Sequence, residues 1–459
     1  MVYSAAVYLP MPVPQKLLQS LEQVKGFDCE AFERVHASGE QVTSVRLNPL
    51  KSMDYGPWSM DKIPWCPHGY YLSERPSFTF DPYFHAGAYY VQEASSMFLW
   101  HALKETIGSD THKKVLDLCA SPGGKSTLLA SYFEDGLVIA NEVIKSRASV
   151  LAENITKWGS GHVIVTNNDP SHFQSLPGYF DVMVIDAPCS GSGMFRKDPD
   201  AINEWSEDNV QLCSQRQQRI LADVLPALKE DGILIYSTCS YSTEEDEAIA
   251  DWLVSEMSME SKQLSINAEW NIVETNSPEK SAYCYRFYPD KIKGEGFFIA
   301  VFQKKESTGD TRFKMQTLSF PSKQEMQQVQ SFIELPDDSG LFKQAESIRV
   351  IRKEWMHELQ LLAKCLYIKK AGIEIGAVKG KDLVPAHELA MSGLSGAFTS
   401  IALTKEQALQ YLRRKELLLT DATKGWHLVS FGGLPLGWVK VLPNRVNNYY
   451  PAEWRILKE

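Results

Sequence analysis

Cysteine is scarce in this chain. Eight cysteines in 459 residues form no CxxC pair, which argues against a disulfide framework and against a zinc finger. Cys66 with His68 is only half a ligand set, so no metal is expected. Cys29, Cys66, Cys213, Cys284 and Cys365 read as small buried apolar residues. Long apolar runs are also missing. Phe297–Phe302 is among the longer ones, far short of the roughly 20 residues that span a bilayer, so no membrane partner is expected. Met1–Pro14 has no Lys or Arg and is broken by Pro10, Pro12 and Pro14, unlike an export signal. A basic excess is lacking too: 47 Lys plus Arg face 57 Asp plus Glu, a net charge of -10. That excludes a globally basic nucleic-acid coat protein but leaves room for a local basic face. These absences point to a soluble, cytoplasmic protein, read as a monomer.

Charge is unevenly spread. Residues 1–110 carry a net -4, residues 111–305 a net -10 and residues 306–459 a net +4. The acidic middle and basic end imply different tasks. At the start, Leu17, Leu18, Leu21 and Val24 recur at helical spacing after Pro14, and Asp28 is placed to cap a second helix through His36. Val42–Leu47 reads as a strand, Tyr55–Tyr83 as a Pro- and aromatic-rich stretch, and Gln92–Thr106 as a helix.

The middle alternates strands with helices. Lys114–Leu118, Leu137–Ala140, Val163–Thr166, Val182–Ile185 and Ile233–Tyr236 are short apolar strands, and Phe297–Phe302 adds a late one after a hairpin-like segment. The pattern predicts an α/β fold with a mostly parallel, doubly wound sheet. Such sheets bind ligands beyond the carboxyl ends of their strands. Lys304–Asp310 reads as a linker, Leu361–Lys379 as a hairpin with Gly372 and Gly376, Lys405–Arg414 as a short helix, and Trp426–Leu442 as part of a small barrel. The chain divides into 1–108, 109–305, 306–385 and 386–459.

Chemistry gathers after the strands. VLDLCASPGGKST (Val115–Thr127) places Cys119, Ala120, Ser121, Pro122, Gly123, Gly124 and Lys125 between the first strand and a helix. It is not a phosphate loop, because Cys119 occupies the position of the first glycine of GxxxxGK[ST], and it lacks GxGxxG. A ligand loop for a zwitterion remains. Glu142 in IANEV ends the second strand and can accept ribose hydroxyls; Asp169 in NNDP ends the third and can accept from an adenine amino group. Each alone reads equally as a solvated strand end or turn. Together they fit an adenosyl ligand without a pyrophosphate, S-adenosyl-L-methionine (AdoMet). In VIDAPCSGSGMFRKDPD, Asp186 and Cys189 leave the fourth strand; in LIYSTCSYSTEEDE, Cys239 leaves the fifth, followed by a helix capped at Ser242 or Thr243. Two cysteines in polar settings on adjacent strand ends are unlike core filler.

These segments resemble the Nop/Sun (NSUN) type of AdoMet-dependent RNA cytosine-5 methyltransferases. YVQEASSM (Tyr90–Met97), DLCASPGGKST, DAPCSGSGM and YSTCS carry the resemblance, and SVRLNP (Ser44–Pro49) resembles the family's N-terminal RNA-contacting segment. PWCPHGYYL, RKDPDAINEWS and GWVKVLPNRVNNYYP are similar to the bacterial small-subunit ribosomal RNA branch called RsmF. STCSY stands where STCTL is commoner, with the cysteine kept, and the third part matches only loosely apart from its last stretch. The resemblance implies a Rossmann-like methyltransferase sheet, an N-terminal α+β domain and a C-terminal β-rich, PUA-like RNA-binding part.

Carbon 5 of cytosine is a poor nucleophile, and a thiolate adding to carbon 6 makes it enamine-like. An acid near ring nitrogen 3 stabilises the adduct, and a base must later remove the carbon 5 proton. Cys189 and Cys239 suit a nucleophile and a release residue, and the residues alone leave open which is which. The resemblance implies Cys239 as nucleophile, Cys189 in release, and Asp186 at the cytosine edge, protonated when the base is bound. Lys125 and Lys197 read equally as orienting groups or as solvated lysines. The expected reaction is methylation of carbon 5 of a cytosine in 16S ribosomal RNA, in the decoding region, with naked RNA or the small ribosomal subunit as partner. The alternatives are a transfer-RNA cytosine-5 methyltransferase and a non-catalytic assembly factor that binds AdoMet and RNA. Arg46, Lys379, Lys381, Arg413, Arg414 and Arg445 are candidate phosphate contacts. Removal of residues 306–459 is expected to spare AdoMet binding and weaken RNA binding.

Overall fold

The computed structural model describes residues 12–51, 60–306, 314–394, 398, 400–419 and 422–458. Most of the Met1–Pro14 segment, the start of the Tyr55–Tyr83 stretch and most of the Lys304–Asp310 linker lie outside the described residues.

Helix Gln15–Leu21 buries Leu17, Leu18 and Leu21, and helix Cys29–Ala37 starts where Asp28 accepts from the Ala31 N–H at 3.0 Å. Their apolar faces pack with Phe195, Tyr241 and Tyr288, residues of the two cysteine-bearing loops and the segment beyond them. Cys29 is exposed at the first position of its helix, contrary to the core placement expected for it; Cys66, Cys213 and Cys284 are buried and Cys365 is half-buried. Strands β1 (Thr43–Leu47), β2 (Met60–Lys62), β3 (Gly69–Leu72) and β4 (Tyr89–Val91) form an antiparallel sheet in the order β2-β3-β1-β4.

The large sheet holds β5 (Lys114–Asp117), β6 (Leu137–Asn141), β7 (Val163–Thr166), β8 (Phe180–Asp186) and β9 (Leu228–Thr238), all parallel, in the order β9-β8-β5-β6-β7. β10 (Met259–Lys262), β11 (Val273–Asn276), β12 (Tyr283–Phe287) and β13 (Phe297–Lys304) extend it antiparallel beyond β9. The central strands are buried on both faces, and two apolar layers cover the sheet, as continuous Val- and Ile-rich runs require. This is the expected Rossmann-like, doubly wound arrangement.

The C-terminal part differs from expectation at one place. β14 (Ser339–Gln344) and β15 (Ser347–Arg352) pair with β17 (Ile373–Lys379) and β18 (Asp382–Pro385), but β16 (Ile368–Ala371) pairs with β7 of the large sheet. The expected 361–379 hairpin is therefore a helix end followed by a strand that crosses between sheets at Gly372, φ +59°. A Cβ at Gly372 would lie 2.2 Å from the Val350 carbonyl oxygen, so only glycine fits there. β19 (Ser400–Ala402), β20 (Gly425–Phe431), β21 (Leu434–Leu442) and β22 (Arg445–Asn448) make the last sheet. Its Val429 and Val439, with Tyr411 and Leu412 of helix Lys405–Leu412, share one core with Val45, Leu47 and Tyr89 of the first sheet.

Arg46 lies inside this assembly. Its guanidinium is fully buried, donating to Gln92 Oε1 at 2.9 Å and to Thr127 Oγ1 at 2.5 Å, and it stacks 4.5 Å over the Trp158 ring. Burial lowers its pKa to about 10. It fastens the first sheet to the helix after β5 and is not a surface phosphate contact, which corrects the sequence expectation. Arg46→Met should strand the Gln92 and Thr127 partners and destabilise the protein by about 2–4 kcal/mol, read as a fall in the thermal unfolding midpoint.

Candidate active site

Parallel pairing sets the site's floor, because all five central strands release their chains at the same edge. β5 stops at Asp117, which is fully buried; Oδ2 accepts from Ser126 Oγ at 2.6 Å, while Oδ1 has no hydrogen-bond partner among the described residues. Burial pushes this acid up to about 7, against the pull of Ser126 and Lys125. The chain then turns through Cys119, Ala120 and Ser121-Pro122, a cis peptide, to Gly123 at φ +117°. Gly123 is the N-cap of helix Gly124–Tyr132. The Ala120 N–H donates to the Asn141 carbonyl at 2.8 Å, and Asn154 Nδ2 to the Pro122 carbonyl at 2.8 Å, so the loop is held from two sides. Burial first, and then nearby carboxylates, pushes the Cys119 thiol up.

At the end of β6, Glu142 is buried; Oε1 accepts from the Ile144 N–H at 2.9 Å and Oε2 faces Arg147 Nε at 3.6 Å. Asp169 is half-buried. Its Oδ1 accepts from the N–H and Oγ of Ser171, which holds the carboxyl below its ordinary range, and Oδ2 takes no hydrogen bond from the described residues. Sequence reasoning passed over Asn141. Buried beside Glu142, it donates to the carbonyls of Leu118 and Asn168 at 3.2 and 3.0 Å and accepts from Thr166 Oγ1 at 2.9 Å. One side chain thus ties together the ends of β5, β6 and β7. Asn168 in turn exchanges hydrogen bonds with the backbone of Tyr367, at 2.9 and 3.1 Å. Residues 306–459 therefore also touch this edge, through Tyr367.

The cysteines meet. Cys189 and Cys239 Sγ are 3.0 Å apart and share a hydrogen bond. That bond, burial and the neighbouring sulfur's charge push the Cys189 thiol well up, and the charge of Glu245 adds to the effect. Lys125 Nζ lies 2.8 Å from Asp186 Oδ2, and Ser237 Oγ donates to Oδ1 at 2.8 Å. Burial works against the Lys125 ammonium, but Asp186 outweighs it and raises the pKa, with a further contribution from Cys239. Lys197 is half-buried in the turn after Met194, with its charge towards Glu295. Glu295 is itself buried, and burial pushes it up to about 7. The helix after Cys239 begins at Glu247 with Asp246 as N-cap, so neither Ser242 nor Thr243 caps it.

The basic candidates separate. Lys379 and Lys381 are exposed at the β17–β18 turn, and Arg445 is exposed at the start of β22. Arg414 donates to the Tyr450 carbonyl at 2.9 Å. Arg413 lies 5.4 Å over the Phe80 ring with Nε buried, so it packs between the last and first sheets. Among the described residues no group of His, Cys, Asp and Glu is arranged to hold a metal, and no helix is long and apolar enough to cross a membrane.

A parallel sheet of this order, with a glycine loop after its first strand and carboxylates closing the next two, defines an AdoMet-dependent methyltransferase of Rossmann-like fold. The family described as 16S rRNA methyltransferase RsmB/F matches residues 105–303, the RsmF N-terminal domain matches 13–94 and the RsmF PUA domain matches 398–456. A ribosomal RNA small subunit methyltransferase F of Shewanella sp. (strain MR-4) is 31% identical over 446 residues, covering 89% of this chain and 90% of its own. A methyltransferase homologue from Pyrococcus horikoshii, 28% identical, covers 64% of this chain and all of its own with a TM-score of 0.50. NSun6 from the same organism, solved with SFG, shares the fold at 19% identity, 65% and 100% coverage, and a TM-score of 0.53. The chain belongs to the RsmB/F family of 16S rRNA methyltransferases.

AdoMet suits the residues present. The unpartnered Asp117 Oδ1 is a buried acceptor for a ligand ammonium, Glu142 offers a carboxylate for ribose hydroxyls, and Asp169 Oδ2 is an open acceptor. Glu142→Ala should weaken AdoMet binding by about 1–3 kcal/mol, the cost of unpairing a buried polar group. Titration calorimetry would show it, with Asp169→Ala also weakened. Unchanged affinity in both would remove these two residues from the ligand site.

Proposed function

We propose that this enzyme methylates carbon 5 of a cytosine in small-subunit ribosomal RNA through a covalent adduct with Cys239. One observation carries the reading: two free thiols 3.0 Å apart at adjacent strand ends, beside an Asp–Lys pair. AdoMet, when bound, supplies an electrophilic methyl group on a cationic sulfur.

The surroundings break the symmetry between the cysteines. The shared hydrogen bond first, then burial and the charges of Cys239 and Glu245, keep the Cys189 thiol protonated, while Lys125 lies on the Cys239 side of the pair. Cys239 therefore suits the attack on carbon 6. Asp186 delivers to ring nitrogen 3 the proton that Lys125 holds against it, and takes it back when the ring is restored. Bonding of Cys239 to carbon turns its sulfur into a neutral thioether. That removes two of the causes that keep the Cys189 proton in place, the shared hydrogen bond and the neighbouring charge. Cys189 then loses its proton to solvent and takes the one on carbon 5. The released pair closes the 5,6 double bond, and Cys239 leaves as a thiolate. The order of events is thus built into the sulfur pair.

The division at 1–108, 109–305, 306–385 and 386–459 belongs to the same reading, with β16 a strand that the third part lends to the second. The catalytic part repels RNA at long range through its net charge, so the flanking parts must supply attraction. Lys379, Lys381 and Arg445 suit that task because they are exposed. Changing all three to Gln should lower RNA affinity and reduce the slope of log affinity against log salt by about 2 to 3, with AdoMet affinity unchanged; an unaltered slope would exclude these contacts.

The cysteine roles are tested on denaturing gels of protein mixed with small-subunit ribosomal RNA and AdoMet. Cys239→Ala should abolish methylation and any shifted band. Cys189→Ala should form the adduct and fail to resolve it. The opposite pattern would exchange the roles, and methylation of transfer RNA in preference to ribosomal RNA would favour the transfer-RNA alternative.

A further inference from the structure

Besides the sulfur pair itself, a buried carboxylate bridges the two cysteine loops. Glu245, six residues beyond Cys239, is shielded completely from solvent. Its Oε1 accepts from the Ser190 N–H at 2.8 Å, and its Oε2 accepts from Ser190 Oγ at 2.5 Å and Ser240 Oγ at 2.6 Å. Ser190 follows Cys189 and Ser240 follows Cys239, so one carboxylate grips the residue next to each sulfur. Its own backbone is fixed, because Tyr236 Oη donates to the Glu245 carbonyl at 2.7 Å. Gln217, fully buried on helix Glu207–Val224, donates to the Pro188 carbonyl at 3.1 Å and to Glu245 Oε1 at 3.4 Å, bracing the Cys189 loop from behind. Around this carboxylate Ser192 Oγ accepts from the Tyr241 N–H at 2.9 Å, and the Gly193 N–H donates to the Cys239 carbonyl at 2.8 Å.

These contacts have a direction. β8 and β9 pair in register as far as Asp186 and Ser237, the Ala187 N–H donates once more to the Ser237 carbonyl at 2.8 Å, and beyond that the ladder ends. Strands about 4.8 Å apart release the two loops side by side, the sulfurs lie three and two residues past the last pair, and the Gly193 N–H to Cys239 carbonyl bond is the next backbone tie between them. To these ties the carboxylate adds three hydrogen bonds of its own, placed at the residue after each cysteine; as an anion it makes them charge-assisted and stronger than neutral ones.

We propose that Glu245 is a positioning residue that fixes the separation of Cys189 from Cys239, and so governs resolution of the RNA adduct rather than its formation. The inference rests on the cysteine roles proposed above. Of the two thiols, attack needs only Cys239. Resolution needs Cys189 sulfur held at the carbon 5 hydrogen while Cys239 is still bonded to carbon 6: that proton passes to Cys189, its electron pair closes the double bond, and the carbon–sulfur bond breaks. A displacement of about 1 Å at a reacting group costs on the order of 100-fold in rate. Loss of the clamp should therefore tax the second step most.

The test uses full-length protein, small-subunit ribosomal RNA and AdoMet, with adduct followed over time on denaturing gels. Glu245→Ala should form adduct at near the wild-type rate but resolve it about 10- to 100-fold more slowly, with AdoMet affinity unchanged. Glu245→Gln, whose amide can still bridge the two hydroxyls, should recover most of the resolution rate. Ser240→Ala, which removes a single hydroxyl, covers the case in which Glu245→Ala fails to fold and should show the same defect in smaller measure. Equal losses in adduct formation, resolution and AdoMet affinity would mean a merely structural role and overturn the proposal, as would wild-type resolution in Glu245→Ala. Cys189→Ala run alongside separates the two levels. If it accumulates adduct and the Glu245 and Ser240 variants do not, the clamp fails while the cysteine roles stand. If it accumulates none, the cysteine roles fail and the clamp with them.

Discussion

Parallel pairing between β8 and β9 is the constraint on which the reaction centre depends. Neighbouring parallel strands lie about 4.8 Å apart and release their chains at the same edge. The register that sets Asp186 against Ser237 brings an acid, two thiols and their serine neighbours into one small volume. An antiparallel partner would send one loop to the far side of the sheet. The same edge receives the glycine loop after β5 and the carboxylates after β6 and β7, so one hydrogen-bonding pattern aligns the residues proposed to bind the methyl donor with the sulfurs proposed to react. Asn141 and Glu245 then do for the loops what the ladder does for the strands, each replacing regular pairing where it ends.

The central strands and their loops were legible because continuous apolar runs and glycine punctuation are local signals. Five parallel strands, the 119–125 loop, Glu142, Asp169 and the two cysteines follow from short windows of sequence. Arg46 was misjudged for a physical reason: arginines are nearly always exposed, and only the three-dimensional meeting of Gln92, Thr127 and Trp158 makes a buried one tolerable. β16 was missed because a strand's partner is not encoded in its own residues; Ile368–Ala371 looks the same whether it pairs with β17 or with β7. Asn141 and Glu245 were hidden inside motifs read for other residues. The acidic run after Cys239 looks like ordinary helix-start chemistry, yet the helix begins later: Glu245 reaches the cysteine loops, Asp246 accepts from Thr238, and Glu247 pairs with Arg286.

The flanking parts are more closely joined than charge and composition implied. The first and last sheets share one apolar core, the third part contributes β16 to the large sheet, and Tyr367 holds Asn168 at the edge beside Asp169. The lead-in helices pack on Phe195 and Tyr241, next to the cysteine loops. Surfaces that suit RNA binding are therefore mechanically continuous with the residues that suit the donor and the reacting base.

The central claim is the identity of the methylated atom, and the most direct measurement is the chemistry of the product. Small-subunit ribosomal RNA incubated with the enzyme and AdoMet, then digested to nucleosides and resolved by mass spectrometry, should contain 5-methylcytidine. A methyl group on a ribose, on an exocyclic nitrogen or on any base other than cytosine would contradict the account, because none of those products requires a pair of thiols at the strand ends.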